Sequence, residues 1–285
     1  MNKNTVATDV NSYPIPQGVL LVVGGHEDKG DFEDAQPPEI LKNFIDLMQA
    51  DDCVIEVITT ASSVGEESFD DYKKAFSALG ITRIGHIHHD SRLEAIEDDL
   101  KERLAKANGI YFSGGDQLKL TSIYGGTDFL LQLKHRYIYD NVVIAGTSAG
   151  AMAMSTPMIY AGNKEVQQLT GEVKITIGLE FLKDICIDTH FVDRSRFVRM
   201  AQVIATNPTC IGIGIEEDTA IIVRNGKDAE IIGSGVVVII EGFNIRNSNV
   251  FDSTADTRIS IENLNVHLLS RGSVYQLPKI NPPHI

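Results

Sequence analysis

The sequence has few basic residues, few cysteines and no long apolar run, and each shortage excludes a class of protein. Its 285 residues carry 25 Lys and Arg against 39 Asp and Glu, a formal net charge of −14. Nucleic-acid-binding proteins need clustered basic side chains for phosphate contacts, so we exclude that class. The first apolar run, Val19 to Val23, is too short for a secretion signal or a membrane span. We therefore expect a cytoplasmic protein with no membrane partner.

The three cysteines do not suggest a disulfide framework. Cys53, Cys186 and Cys210 are odd in number, far apart and set in apolar stretches, which favours buried reduced thiols over disulfides or a zinc site. The sequence also lacks repeats, linkers and low-complexity tracts. It therefore predicts an N-terminal tail over residues 1–17 and a single α/β domain over residues 18–285.

Three histidines in the first half of the chain do not form a metal site. His86 and His88 alternate onto one face of a predicted strand, whereas His89 points to the other face. No second cluster supplies the missing ligands, so we expect neither a metal nor a cofactor.

The first half of the chain alternates apolar strands with amphipathic helices. This order predicts a largely parallel, doubly wound sheet with helices on both faces and right-handed crossovers. The last third changes to short β-rich runs separated by turn residues, which we interpret as an antiparallel extension of that sheet. The predicted strands of the first half span 19–23, 53–59, 82–88 and 110–112, and its helices 38–50, 62–79 and 93–107.

One apolar stretch ends in the sequence Gly146-Thr-Ser-Ala-Gly150 and resumes as small helix-forming residues. The pattern predicts a strand, a sharp turn and a helix. In such a turn the central serine is forced onto a strained corner with its hydroxyl exposed at the carboxyl end of the sheet. We therefore predict that Ser148 is a nucleophile. A plain glycine-rich turn would give the same five residues, but the flanking strand and helix favour the catalytic interpretation.

A histidine and three arginines follow a later strand. His190 lies just past the predicted strand Ile185 to Asp188, the position expected of a general base. Arg194, Arg196 and Arg199 come directly after it and suit bidentate binding of substrate carboxylates. A solvated basic helix face is the alternative for at least one of these arginines.

Two further strand ends carry polar residues. Gly114, Gly115 and Asp116 follow a strand and precede a helix, so their amides suit an oxyanion hole, or else Asp116 simply caps the helix. His26 and Glu27 follow the first strand, where open α/β sheets place ligand-binding groups, but a solvated loop is slightly favoured.

These motifs together resemble the cyanophycinase family of serine peptidases, which also includes the α-aspartyl dipeptidases. The resemblance implies a fold similar to class I glutamine amidotransferases, flavodoxin-like with a β-rich C-terminal extension. It also implies a function: hydrolysis of the polymer cyanophycin to β-Asp-Arg dipeptides by a cytoplasmic homodimer. The matching segments are Gly114 to Gln117, Gly146 to Gly150, Ile187 to Phe191 and Gly212 to Thr219.

The resemblance also implies roles for individual residues. Ser148 matches the nucleophile, His190 the base and Glu165 the acid, with Glu216 and Glu217 as alternatives for the acid. Members of the family commonly have a glutamine directly before the histidine, whereas this sequence has Thr189 there. Oxyanion donors would be the amides of Ala149 and of Gly115 or Asp116, and the implied substrate-binding residues are Gln117, Asp188, Thr189, Arg194, Arg196 and Arg199. An α-aspartyl dipeptidase and a non-catalytic ligand-binding relative are the alternative functions.

Overall fold

The structure, a computed structural model, describes residues 14–29, 39–162, 168–252 and 257–277. Its helices are α1 (Glu39–Met48), α2 (Gly65–Ala78), α3 (Arg92–Glu97), α4 (Lys101–Lys106), α5 (Gln117–Tyr124), α6 (Asp128–Tyr139), α7 (Ala149–Ala153) and α8 (Phe197–Thr206). Its strands are β1 (Val19–Val23), β2 (Val54–Ile58), β3 (Arg83–Ile87), β4 (Gly109–Phe112), β5 (Val143–Thr147), β6 (Ser155–Thr156), β7 (Met158–Ala161), β8 (Lys174–Thr176), β9 (Leu182–Lys183), β10 (Ile185–Asp188), β11 (Ile211–Ile215), β12 (Thr219–Arg224), β13 (Asp228–Gly233), β14 (Val236–Glu241), β15 (Asn247–Ser248), β16 (Ile261–Glu262), β17 (Asn265–Ser270) and β18 (Val274–Gln276).

An eight-stranded sheet in the order β18-β13-β12-β1-β5-β4-β2-β3 forms the centre of the fold. The five strands from β1 to β3 in that order are parallel, as the alternation of strands and helices predicts. Leu20 and Val22 pack into one apolar core and Leu21 and Val23 into another, so β1 is buried on both faces. Both faces of the parallel part are therefore covered, which is typical of doubly wound sheets.

A second sheet, in the order β17-β14-β11-β10-β6-β9, corrects one expectation. The β-rich C-terminal runs are not all an extension of the first sheet. Strands β12 and β13 do extend it antiparallel, next to β1. Strands β11, β14 and β17 instead pair in the second sheet, where β11 lies parallel to β10. Short apolar runs carry no signal of which neighbour they pair with, so this division was not visible in the sequence.

The predicted helix over residues 93–107 is two helices, α3 and α4. Asp98 ends α3 in an extended conformation, with φ −75° and ψ 117°. Its carboxylate lies 3.3 Å from Nε2 of the buried His89. Leu100 and Leu104 are both buried on the far side of the break. The tertiary contacts of Asp98 and these leucines thus interrupt a segment whose periodicity alone favours a single helix.

Other expectations concern single residues and the chain ends. Cys53, Cys186 and Cys210 are buried and unpaired, as predicted for reduced thiols. Of the predicted tail, the described residues are 14–17. Across the described ranges, none of the helices has the length and apolar character needed to cross a membrane.

Candidate active site

Ser148 lies at a sharp turn between β5 and α7. Its backbone has φ 51° and ψ −113°, a conformation that L-residues rarely adopt. The flanking glycines allow the turn: a Cβ on Gly146 would lie 2.7 Å from the carbonyl carbon of Gly150, and a Cβ on Gly150 would lie 2.5 Å from the Phe112 oxygen. Strained conformations of this kind persist where the surrounding structure enforces them, often at functional sites. The strand, turn and helix therefore follow the sequence prediction.

The structure brings His190 to Ser148. The serine Oγ and the histidine Nε2 are 2.9 Å apart, a hydrogen-bonding distance. His190 is two residues past the end of β10, has φ 47° and is only 7% exposed. Its amide donates to the carbonyl of Gly24 at 2.8 Å, and a Cβ on Gly25 would lie 2.4 Å from the ring Cε1. Gly24 thus anchors the backbone of His190, and the absence of a side chain on Gly25 makes room for the imidazole.

Glu217 contacts the other side of the imidazole. Its Oε1 lies 2.5 Å from Nδ1 of His190. Because a carboxylate accepts hydrogen bonds, Nδ1 carries the proton, and Nε2 is left to accept from the serine hydroxyl. The neighbouring Glu216 instead accepts from the amide of Val236 at 2.8 Å. Glu165, which the family resemblance suggests as the acid, lies outside the described residues.

The sheet pairing explains why the glutamates after β11 lie beside His190. Strands β10 and β11 are parallel neighbours, with Asp188 opposite Gly214. His190 lies two residues past the end of β10, and Glu217 lies two residues past the end of β11. Continued past the strands, this register places His190 opposite Glu216, so both Glu216 and Glu217 reach the sheet edge beside the histidine. Recognising the two strands as neighbours would have favoured these two glutamates as the acid, but it would not have separated one from the other.

Backbone amides near Ser148 suit an oxyanion hole. Ala149 is the first residue of α7, and the first amides of a helix have no acceptor within it. Gly114 faces the serine, since a Cβ there would lie 3.5 Å from the serine Cβ. For Gly115, no hydrogen bond from the amide is found among the described residues.

The predicted third donor, Asp116, is engaged elsewhere. Its amide donates to the carbonyl of Ala61 at 2.9 Å, and its carboxylate accepts from the amide of Leu118 at 2.8 Å as the cap of α5. An amide already bonded to a backbone carbonyl is not available to an oxyanion. Asp116 therefore caps α5, and the amides of Ala149 and Gly115 are the remaining candidates for oxyanion donors.

Two of the three arginines bind Asp188 rather than facing solvent. Asp188 is fully buried, and its carboxylate accepts from Nε of Arg199 at 2.5 Å and from a terminal nitrogen of Arg196 at 2.9 Å. Burial is the main cause that lowers the pKa of Arg196 to about 10. Both arginines are thus bound to the Asp188 carboxylate within the protein. Arg194 is exposed.

Gln117 and Thr189, the two remaining predicted substrate-binding residues, also form hydrogen bonds within the protein. The side-chain amide of half-buried Gln117 donates to the carbonyl of Ile159 at 2.8 Å. Thr189 is fully buried, and its hydroxyl has no hydrogen-bond partner among the described residues. Its carbonyl accepts from Arg196 at 2.7 Å. Thr189 thus contacts the buried arginine cluster next to His190.

The environment of His190 lowers its pKa. Burial is the largest cause, and the positive charges of Arg194 and Arg196 act in the same direction. The hydrogen bond and negative charge of Glu217 oppose these effects but do not outweigh them. A lowered pKa keeps the imidazole neutral near pH 7, as a base that removes a serine proton must be.

Comparison with known proteins identifies the class of this arrangement. The model of Peptidase family S51 matches residues 19–232. Cyanophycinase from Synechococcus elongatus is 31% identical over 261 residues, covering 92% of this chain and 80% of the relative. Cyanophycinase from Geminocystis herdmanii is 30% identical over 256 residues, covering 90% and 92%. The protein is thus a serine-type peptidase.

The chain belongs to peptidase family S51. Its fold is also similar to the crystal structure of a peptidase from an acI-B1 actinobacterium, with a TM-score of 0.66 at 21% identity. That alignment covers 93% of this chain and 98% of the other. At this identity the structural comparison supports the fold alone.

We predict that His190 titrates below its ordinary pKa of 6.5, and that two substitutions move its pKa in opposite directions. Arg194→Gln removes a positive charge and should raise the pKa of His190, whereas Glu217→Gln removes the negative charge that favours the imidazolium and should lower that pKa. NMR titration of the imidazole in a Ser148→Ala background measures both shifts. Shifts of the same sign in the two variants would contradict the assigned environment.

We also predict that Gly25→Ala displaces the His190 ring. Gly25 has φ 99°, and an added Cβ would overlap the imidazole. The matched control is Gly80→Ala, where φ is 91° but no atom lies within 4 Å of the new Cβ. Both variants carry a similar backbone strain of about 1–2 kcal/mol. Only Gly25→Ala should slow the reaction of Ser148 with a fluorophosphonate, and equal rates in the two variants would refute the prediction.

Proposed function

We propose that this protein hydrolyses cyanophycin to β-Asp-Arg dipeptides as a serine exopeptidase, using Ser148, His190 and Glu217 as its triad. The observation that carries the proposal is the continuous hydrogen-bonded series of these three side chains. Ser148 Oγ is 2.9 Å from His190 Nε2, and His190 Nδ1 is 2.5 Å from Glu217. The similarity to cyanophycinases over about nine-tenths of the chain supports the choice of substrate.

The first half of the reaction forms an acyl-enzyme. Ser148 Oγ attacks the scissile carbonyl carbon while Nε2 of His190 accepts the hydroxyl proton. Glu217 stabilises the resulting imidazolium through Nδ1. The oxygen of the tetrahedral intermediate accepts hydrogen bonds from the amides of Ala149 and Gly115, and loss of one such donor costs about 10²–10³ in rate. The intermediate collapses when His190 gives its proton to the leaving amine.

The second half releases the product. Water attacks the ester carbonyl while His190 again accepts a proton, and the returning proton regenerates the Ser148 hydroxyl. Each proton and each bond is accounted for by the peptide, water and these side chains. The reaction therefore needs no metal ion and no cofactor.

Substrate recognition follows from which charged groups are exposed. Cyanophycin has an aspartate backbone whose side-chain carboxyl groups carry arginine, and every arginine ends in a free carboxylate. We assign the exposed Arg194 to such a carboxylate. Arg196 and Arg199 hold Asp188, and through it the strand end that carries Thr189 and His190. Gln117 is proposed to line the same cleft.

Three further properties are proposed from the family resemblance. They are a cytoplasmic location, a homodimeric state and a single domain over residues 18–285 with a core like that of class I glutamine amidotransferases. The five parallel strands, with the serine at a carboxyl edge, support the last of these. Sedimentation equilibrium tests the subunit number, and a monomeric mass would reject the homodimer.

We predict that the purified protein releases β-Asp-Arg dipeptides from insoluble cyanophycin, and that Ser148→Ala abolishes release, since loss of a catalytic serine costs about 10⁶ in kcat. Mass spectrometry identifies the products. Mixed longer fragments would show internal cleavage rather than an exopeptidase. Cleavage of α-Asp-X dipeptides without release from the polymer would identify an α-aspartyl dipeptidase and reject the proposed substrate.

We predict different effects for substitutions of the two adjacent glutamates. Glu217→Gln should lower kcat by about 10⁴, because an amide no longer fixes the tautomer or stabilises the imidazolium. Glu216→Gln is the matched control: its oxygen can still accept from Val236, and turnover should stay close to that of the unsubstituted protein. Turnover assays of both variants decide the assignment. Full activity in Glu217→Gln would remove Glu217 from the triad.

A further inference from the structure

Glu27 is a buried carboxylate that the proposed reaction does not use. It lies four residues past the end of β1 and is 5% exposed. Its Oε1 accepts from the hydroxyls of Tyr72 at 2.6 Å and Tyr111 at 3.1 Å. Its Oε2 accepts from the hydroxyl of Thr147 at 2.6 Å. The donors come from α2, β4 and β5, so one side chain connects three elements to the end of β1.

The three donors suit an ionised carboxylate. Each Glu27 oxygen accepts at least one short hydrogen bond from a hydroxyl group, and hydrogen bonds to a charged acceptor are stronger than those between neutral groups. Burial is also the main cause that raises the pKa of both Tyr72 and Tyr111, so the phenols stay protonated and can donate. The cluster is therefore a satisfied polar network inside the apolar core.

The network reaches the nucleophile through Thr147. Thr147 directly precedes Ser148, whose φ of 51° needs enforcement by its surroundings. Residues 23 to 25, which lead to Glu27, accept hydrogen bonds from the three segments that carry the triad residues. Their carbonyls accept from the amides of Ser148 (Val23, 3.1 Å), His190 (Gly24, 2.8 Å) and Asp218, the neighbour of Glu217 (Gly25, 2.9 Å).

We propose that Glu27 is a positioning residue for the hydrolytic reaction. By binding the Thr147 hydroxyl, it holds the β1 end against the turn of Ser148 and keeps Oγ aligned with His190 Nε2. The inference rests on the proposed function, because it assumes that Ser148 is the nucleophile. A purely structural role for Glu27 would stabilise the fold without affecting the reactivity of the serine.

Two pairs of variants test this role. Glu27→Gln keeps the shape but turns an amide donor toward either the tyrosines or Thr147. Thr147→Val removes the hydroxyl without changing shape, and Thr147→Ser keeps it. The control is Tyr72→Phe, which removes one donor from Oε1 and leaves the bond to Thr147. Each variant is assayed for the rate of Ser148 labelling by a fluorophosphonate, for kcat and KM on cyanophycin, and for Tm.

We expect Glu27→Gln and Thr147→Val each to lower the labelling rate and kcat by about 10- to 100-fold, the range for a lost hydrogen bond to a charged group. KM should change little. Thr147→Ser keeps the hydroxyl and should react at the rate of the unsubstituted protein. Tyr72→Phe should lower Tm but leave the labelling rate close to that of the unsubstituted protein. Because Glu27 and Thr147 act as one unit, the double variant should be no slower than the slower single variant.

Two outcomes would overturn the proposal. The first is a lowered Tm with an unchanged labelling rate in Glu27→Gln and Thr147→Val. The second is a double variant whose loss of labelling rate equals the product of the two single losses. Failure of the proposed function gives a different result. If the unsubstituted protein is labelled at Ser148 but does not cleave cyanophycin, the substrate is wrong and the labelling rates still test Glu27. If it is neither labelled nor active on cyanophycin, the nucleophile and the role of Glu27 are both rejected.

Discussion

Three consecutive carbonyl groups at the end of β1 join the two halves of the site. The serine comes from the eight-stranded sheet, whereas the histidine and glutamate come from the second sheet. The carbonyls belong to Val23, Gly24 and Gly25, and they accept from amides in the segments that carry the serine, the histidine and the glutamate. These bonds fix the relative position of the two sheets where the three side chains meet. An unpaired buried backbone group is costly, so separating these segments would leave three carbonyl groups and three amides to be satisfied elsewhere.

The charged side chains around His190 fall into a buried group and an exposed one. Asp188 is fully buried with Arg196 and Arg199, and removal of either arginine would leave a buried charge poorly compensated. Arg194 lies outside this cluster and is exposed. After burial, the pKa of His190 reflects both the negative Glu217 and the positive Arg194 and Arg196. The same segment thus supplies buried ion pairs and a titratable histidine.

The sequence predicts the local parts of the site better than their assembly. The turn at Ser148 and the position of His190 after a strand follow from glycine spacing and apolar runs, which are local signals. The pairing of His190 with Glu217 depends on β10 and β11 being neighbours, and no short segment encodes that. The engagement of the Asp116 amide by Ala61 was equally invisible, because it depends on how two separate loops approach each other.

The turn after β11 carries two adjacent glutamates with different environments. Glu217 contacts the imidazole, and Glu216 contacts the first residue of β14. Successive side chains near a strand point in opposite directions, so a shift of one residue in the pairing of β11 would exchange the two carboxylates. The chain would keep a glutamate beside the histidine even then, but its neighbours and its hydrogen bonds would all differ. Strand register is therefore as much a determinant of this site as the identity of its residues.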